Sequence, residues 1–147
     1  MNLQPTIAYL STRLKNISGV TNVYDALPLT FSPSQLIEFF NESLQAWEIS
    51  NVAGVCQEGE AGNLVSWTDT IHINGWLKYA SDTKALFQQA IDALKVLFLT
   101  DPTLGHTVHS HTPLRLVFAQ PDYFNNILCH HCRFEFTVTT LIALTNE

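Results

Sequence analysis

Charge is what this chain has least of. Only 14% of its 147 residues are Asp, Glu, Lys or Arg, against about 25% in an average soluble domain. The seven cations, Arg13, Lys15, Lys78, Lys84, Lys95, Arg115 and Arg133, are scattered, with no two adjacent. A surface that grips nucleic acid needs clustered Lys and Arg to displace the counterions around phosphate, so that function is disfavoured. Cysteine is also scarce: three is an odd number and too few for a disulfide scaffold, which points to a reducing compartment. No apolar run reaches the roughly 20 residues that span a bilayer as a helix, so no membrane partner is expected. The opening MNLQPTIAYLSTRLK lacks the charged-then-apolar order of a signal peptide. Internal repeats and low-complexity tracts are missing as well.

Apolar and aromatic side chains are plentiful. They make up 46% of the residues, with nine Phe, four Tyr and three Trp. A chain of this length normally buries its own core, and one domain over residues 1–147 is expected. The low charge leaves much uncharged surface, which predicts burial in an oligomer rather than a free monomer. Thirteen acidic residues against seven basic ones give a net charge of −6.

Periodicity places the elements. Ile7, Leu10, Leu14 and Ile17 form one helical stripe, with Pro5 suited to the first turn and Gly19 to the stop. Val20, Val23 and Tyr24 suggest a short strand ended by Pro28. Ser32 and Pro33 suit the start of a second helical or irregular segment over 32–46, with Leu36, Ile37, Phe40 and Leu44 on one face. Trp47 and Ile49 read as a strand extending towards Val52, and residues 56–63, CQEGEAGN, read as a mobile turn or hairpin tip. Residues 67–80 are the clearest strand: Ile71, Ile73, Gly75 and Leu77 take one face, Thr70, His72, Asn74 and Trp76 the other. The stretch after it is the clearest helix, capped by Ser81 or Asp82 and stopped by Asp101-Pro102, with Leu86, Phe87, Ala90, Ile91, Leu94, Leu97 and Phe98 as its stripe. Leu114, Leu116 and Phe118 then share a side opposite Arg115 and Val117, residues 121–126 read as a turn, and Phe134, Phe136, Val138, Thr140 and Ile142 alternate with Glu135, Thr137 and Thr139. These elements predict an α+β fold: a mostly antiparallel sheet with an N-terminal helix and one long helix packed on one face.

Candidate chemistry is thin. Cys129-His130-His131-Cys132 contains half of a zinc site, and His106, His109 and His111 could supply the rest. Strand alternation, however, sends Cys129 and His131 one way and His130 and Cys132 the other, and no Gly is present to make a knuckle. The residues after Cys132 are strand formers, whereas a thioredoxin-like Cys needs a helix start. No family signature surrounds Cys56, and Glu58 and Glu60 lie in a Gly- and Glu-rich segment where solvated carboxylates are expected rather than an acid–base pair. No phosphate-cradling Gly motif occurs. The expectation is no enzyme activity, no catalytic residues, no metal and no cofactor.

The order of elements carries more. Leu14 through Ile17, then Gly19 to Val23-Tyr24-Asp25, the helix-end phrase Asp101-Pro102-Thr103-Leu104-Gly105-His106-Thr107-Val108, and the closing strand FEFTVTTLI together resemble the tail terminator, or minor tail, proteins of long-tailed bacteriophages. The chain departs from many members at His106, where they carry a second Gly. The resemblance implies a small α+β structural subunit that assembles as a hexameric ring on the head-proximal end of a finished tail tube. That ring stops tube polymerisation, docks to the neck or head-completion protein, and lets DNA pass through its lumen without specific binding. It further implies assembly in the host cytoplasm, a place in the virion, and no enzyme activity or cofactor. A net acidic ring would deny DNA cationic holds. Exposed strand edges and the 54–63 loop are the expected contact elements, with Glu58 and Glu60 towards the lumen or the neighbouring ring. The alternatives are another head–tail neck or adaptor component, and a small zinc-stabilised or ligand-binding α+β domain.

Overall fold

The structure, a computed structural model, describes residues 3–17, 20, 23–24, 45–58, 64–124 and 127–143. Helix α1 (Gln4–Lys15) starts on Pro5, whose missing N–H falls where a helix has no partner to offer. It leads to the two-residue strand β1 (Val23–Tyr24). Strands β2 (Gln45–Glu58) and β3 (Leu64–Lys78) form a long antiparallel hairpin. Helix α2 (Thr83–Thr100) follows, then β4 (Ser110–His111), β5 (Arg115–Phe124) and β6 (Ile127–Ala143).

The six strands form one sheet in the order β1-β2-β3-β6-β4, with β5 also paired to β6. Among the described residues only β1 with β2 is parallel; the other pairings are antiparallel. Strand β6 pairs with β3 without a register shift from Leu64↔Ala143 to Lys78↔Cys129. The two helices and one face of the sheet share a single buried cluster that includes Leu10 and Leu14 of α1, Ile91 and Leu94 of α2, and Trp47, Ile73 and Phe134 of the sheet. The expected α+β architecture, with helices on one face of a mostly antiparallel sheet, is what forms.

Two contacts seat α2 on that face. Phe87 stacks on Trp47 at 5.8 Å near its start, and Phe98 meets Phe136 edge-on at 4.6 Å near its end. Gly75 permits the first. A Cβ there would lie 2.6 Å from the Trp47 ring, so any larger residue would push the indole off the sheet. The turn after α2 is where the resemblance phrase falls. Leu104, Gly105 and His106 all take positive φ, and Gly105 lies so close to the Tyr9 ring that a Cβ would clash. The Tyr9 hydroxyl donates to the Asp101 carboxylate, which also accepts from the Gly105 amide. Burial pushes the Asp101 carboxyl up, but these two donors outweigh it and hold it below the usual range. Residues 101–108 therefore tie α1 to the end of α2.

Several sequence expectations shift. Leu86 was placed in the buried stripe but is half exposed, while Phe87, Ile91, Leu94, Leu97 and Phe98 are buried. Asp82 stands at the cap position without a side-chain capping hydrogen bond, and the Thr83 hydroxyl bonds back to Ala80 instead. Phe118 does not share a side with Leu116. The register shifts between them, so Arg115 and Phe118 lie opposite Glu135 and Arg133 while Leu116 lies opposite Phe134; one extra residue in a strand turns all later side chains to the other face. Residues 121–124 continue β5 rather than turning, and Gly54–Glu58 is strand rather than loop. The helical segment expected over 32–46 lies outside the described residues up to 44, and Gln45 and Ala46 begin β2.

Candidate functional site

The three longest strands outrun their cover. Beyond Ser50 on β2, residues 51–56 are all exposed. Strand β1 pairs only with Trp47 and Glu48, so among the described residues the backbone edge of β2 from Ile49 to Glu58 is open. The register shifts between Asn51 and Ala53, which leaves Val52 unpaired, and Val52 and Val55 are 49% and 58% exposed. An exposed strand edge with apolar side chains is a template for another chain. Glu58 closes β2, and Glu60 lies outside the described residues.

Among the described residues this arm holds one buried carboxyl group. Asp69 is 2% exposed, takes the Asn51 side-chain amide on Oδ1 at 3.1 Å, and has no partner on Oδ2 among the described residues. Thr68 and Thr139 face each other on the opposite side at 3.3 Å.

Nearer the core, the sheet face away from the helices carries paired charges. His72 Nε2 lies 2.9 Å from Glu135, and Arg115 donates to the same carboxylate at 3.0 Å. The hydrogen bond from His72 keeps the Glu135 carboxyl below its ordinary value; burial opposes it, and the Arg115 guanidinium adds to the lowering. Arg133 donates to Asn74 Oδ1 at 2.9 Å and sits 5.4 Å over the Phe118 ring, and Asn74 in turn donates to Glu48. Both arginines of this face are thus engaged within the chain. The individual residues are visible in the sequence, but the partnership needs the β3–β6–β5 register, which the shift at Val117 hides.

The Cys-His-His-Cys run splits as alternation requires. Cys132 joins the helix-side core beside Phe134, while Cys129 and His131 face the other way. Burial pushes the thiols up to about 11 for Cys129 and about 12 for Cys132, which leaves them protonated and unreactive at neutral pH. His131 stacks on Trp76 at 3.5 Å and meets Phe118 edge-on. Burial pulls its pKa down to about 4 despite Asp122 beside it. The ring is therefore neutral at pH 7. Since Asp122 can only accept, Nδ1–H donates to it at 3.4 Å and the buried Nε2 keeps a bare lone pair. On the helix side His130 stacks on Tyr79 at 4.5 Å and on Phe87 at 5.6 Å. Burial, and then Lys84, lower its pKa. Of the histidines that could complete a zinc site with this run, His111 bridges the carbonyls of Asp101 and Thr112. Among the described residues no three His, Cys, Asp or Glu converge on a point where a metal ion would sit.

No protein-family model and no curated protein matches the chain. Among solved structures, a chain from the virion of the native gene transfer agent (GTA) particle is similar to it with a TM-score of 0.40 and 13% identity, covering 90% of this chain and 93% of that one.

Proposed function

We propose that the chain is a structural subunit of a virion, a tail terminator that closes into a ring on the end of a tail tube, stops its polymerisation and meets the neck protein. The observation that carries this reading is the β2–β3–β6 arm, whose open β2 edge exposes Val52 and Val55. A lone soluble domain has reason to cover or charge such an edge; a subunit that repeats around an axis has reason to keep it. A heterologous contact that closes on itself makes a ring, and six copies is the number the resemblance implies. The resemblance phrase over 101–108 adds support, because it fixes how the two helices join.

The paired charges suit a lumen through which DNA slides. Arg115 is tied to Glu135, and Arg133 is tied to Asn74 over Phe118, so neither guanidinium is presented free to phosphate, and the net charge of −6 adds no attraction. The role is structural, without catalysis or cofactor. Glu58 at the end of β2 and Glu60 beyond it are assigned to the contact with the neighbouring ring or the lumen. Mass photometry of the purified chain, alone and with tube protein, tests the assembly. A species of about six copies in the presence of tube is expected; a monomer under both conditions contradicts it.

A further inference from the structure

Between α2 and β5 lies a cavity of about 250 Å³. Its origin is local. Helix α2 rides over β2, β3 and β6 through Phe87 and Phe98, and β5 lies one strand further out. The β5 residues opposite Cys132 and His130 are Ala119 and Pro121, both short, so β5 forms a low shelf beside Phe87 and Ile91. The walls are ring-rich: Tyr79, His130 and Phe87 stand in a stack. The Thr83 hydroxyl gives its proton to Ala80 and accepts from His130 Nε2, which fixes that imidazole in place. Lys84 lines the rim, and among the described residues its ammonium has no ion-pair partner. The Gln88 side chain on the same rim is held by Asp92.

We propose that this cavity is a binding site for a monocarboxylate bearing one aromatic ring, the ring entering against Phe87, Tyr79 and Ile91 and the carboxylate meeting Lys84. The size sets the class. Drug-sized ligands take about 300–1,000 Å³, so this space holds one ring and its short acid arm and little more. The charge sets the sign. An unpaired ammonium beside an apolar ring box rewards an anion with a charge-assisted bond, and an aromatic cation would be repelled. Strand addition at this place is disfavoured, because the shift at Val117 and the Pro121 ring both interrupt the β5 edge. Recognition therefore passes through the cavity. The same chemistry is offered by a free aromatic acid and by a polypeptide that ends in a free aromatic carboxylate.

Isothermal titration calorimetry of the full-length chain with 3-phenylpropanoate, paired with ligand-detected NMR, tests the site at any assembly size. The neutral 3-phenylpropanamide serves as the control. Binding of the acid is expected, weakened about tenfold or more in the amide and in Lys84→Met. Ala119→Leu, which fills the shelf from an exposed position, should abolish it while leaving the melting temperature unchanged; if that variant does not fold, the amide and Lys84→Met still decide. A second arm compares the free acid with an acetylated tetrapeptide ending in Phe, as free acid and as amide. Tighter binding of the peptide acid marks a chain terminus as the source, and tighter binding of 3-phenylpropanoate marks a free molecule. No binding of either acid, or equal binding of acid and amide, or binding indifferent to Lys84→Met, overturns the assignment.

Discussion

The same three strands behave differently at their two ends. In the covered half, Ile71, Ile73, Phe134 and Phe136 are at most 2% exposed under α1 and α2. In the arm, Val52, Val55, Leu64 and Leu141 are 40–58% exposed. The β3–β6 ladder runs unbroken through both, so hydrogen bonding does not separate them. Cover does. Apolar burial contributes about 25 cal/mol per Å², while a ladder bond exchanged against water contributes about 1 kcal/mol net. The covered half supplies the stability of the monomer, and the arm leaves apolar surface that would contribute only if another chain covered it, as the proposed ring does.

The largest way to break the contrast is to hollow the covered half. Leu94→Ala, at a fully buried site of α2, should cost about 2–5 kcal/mol, read by urea unfolding. A loss under about 1 kcal/mol would mean that α2 does not hold the sheet.

Acid should act on the opposite face of the same half of the sheet, where His131 packs on Trp76. The His131 pKa of about 4 lies below the ordinary 6.5, so between those values the unfolded chain binds the extra proton. The stability this neutral ring confers is complete above about pH 6.5 and is lost as pH falls towards 4, a change on the order of 3 kcal/mol. Unfolding curves at steps from pH 7 to 4 should show the decline, and His131→Gln should flatten it. A profile equally steep in the variant would assign the decline to other groups, Glu135 and Asp101 among them.

Gly75→Ala sharpens the account of how α2 is seated. The new methyl would meet the buried Trp47 ring, an overpacking worth about 1–3 kcal/mol, and calorimetry should report a lower melting temperature. An unchanged value would show that the indole has room to retreat.

The smallest effect on the monomer belongs to the arm. Val52→Ser with Val55→Ser should change monomer stability by no more than about 0.5 kcal/mol per site, yet lower the share of ring in mass photometry with tube protein. Normal assembly by this double variant would remove the arm from the interface.

The covered half was legible in sequence wherever one periodicity ran long. Ile71 to Leu77 and Phe134 to Val138 alternate cleanly, and their burial follows. The α2 stripe was legible except at Leu86, because an apolar arc that wide does not say where the sheet ends. Strand β5 was misread at Phe118, since a single extra residue at Val117 leaves the composition untouched and only the pairing reveals it. The arm was read too short for a related reason. The 51–58 stretch, NVAGVCQE, lacks alternation and holds Gly54, so it resembles a loop until β3 draws it into a ladder. The candidate site was legible as residues and not as an arrangement: His72, Arg115 and Glu135 are far apart in the chain and meet only through register. The cavity left no sequence signal, because it arises from the shortness of Ala119 and Pro121 relative to a helix one strand away.

Electron microscopy of tails assembled with and without this chain tests the proposed role most directly. Tails bearing it should share one length and carry a single ring at the head-proximal end, and tails made without it should vary in length and fail to join heads. Tails of normal length that still join heads in its absence would contradict the account.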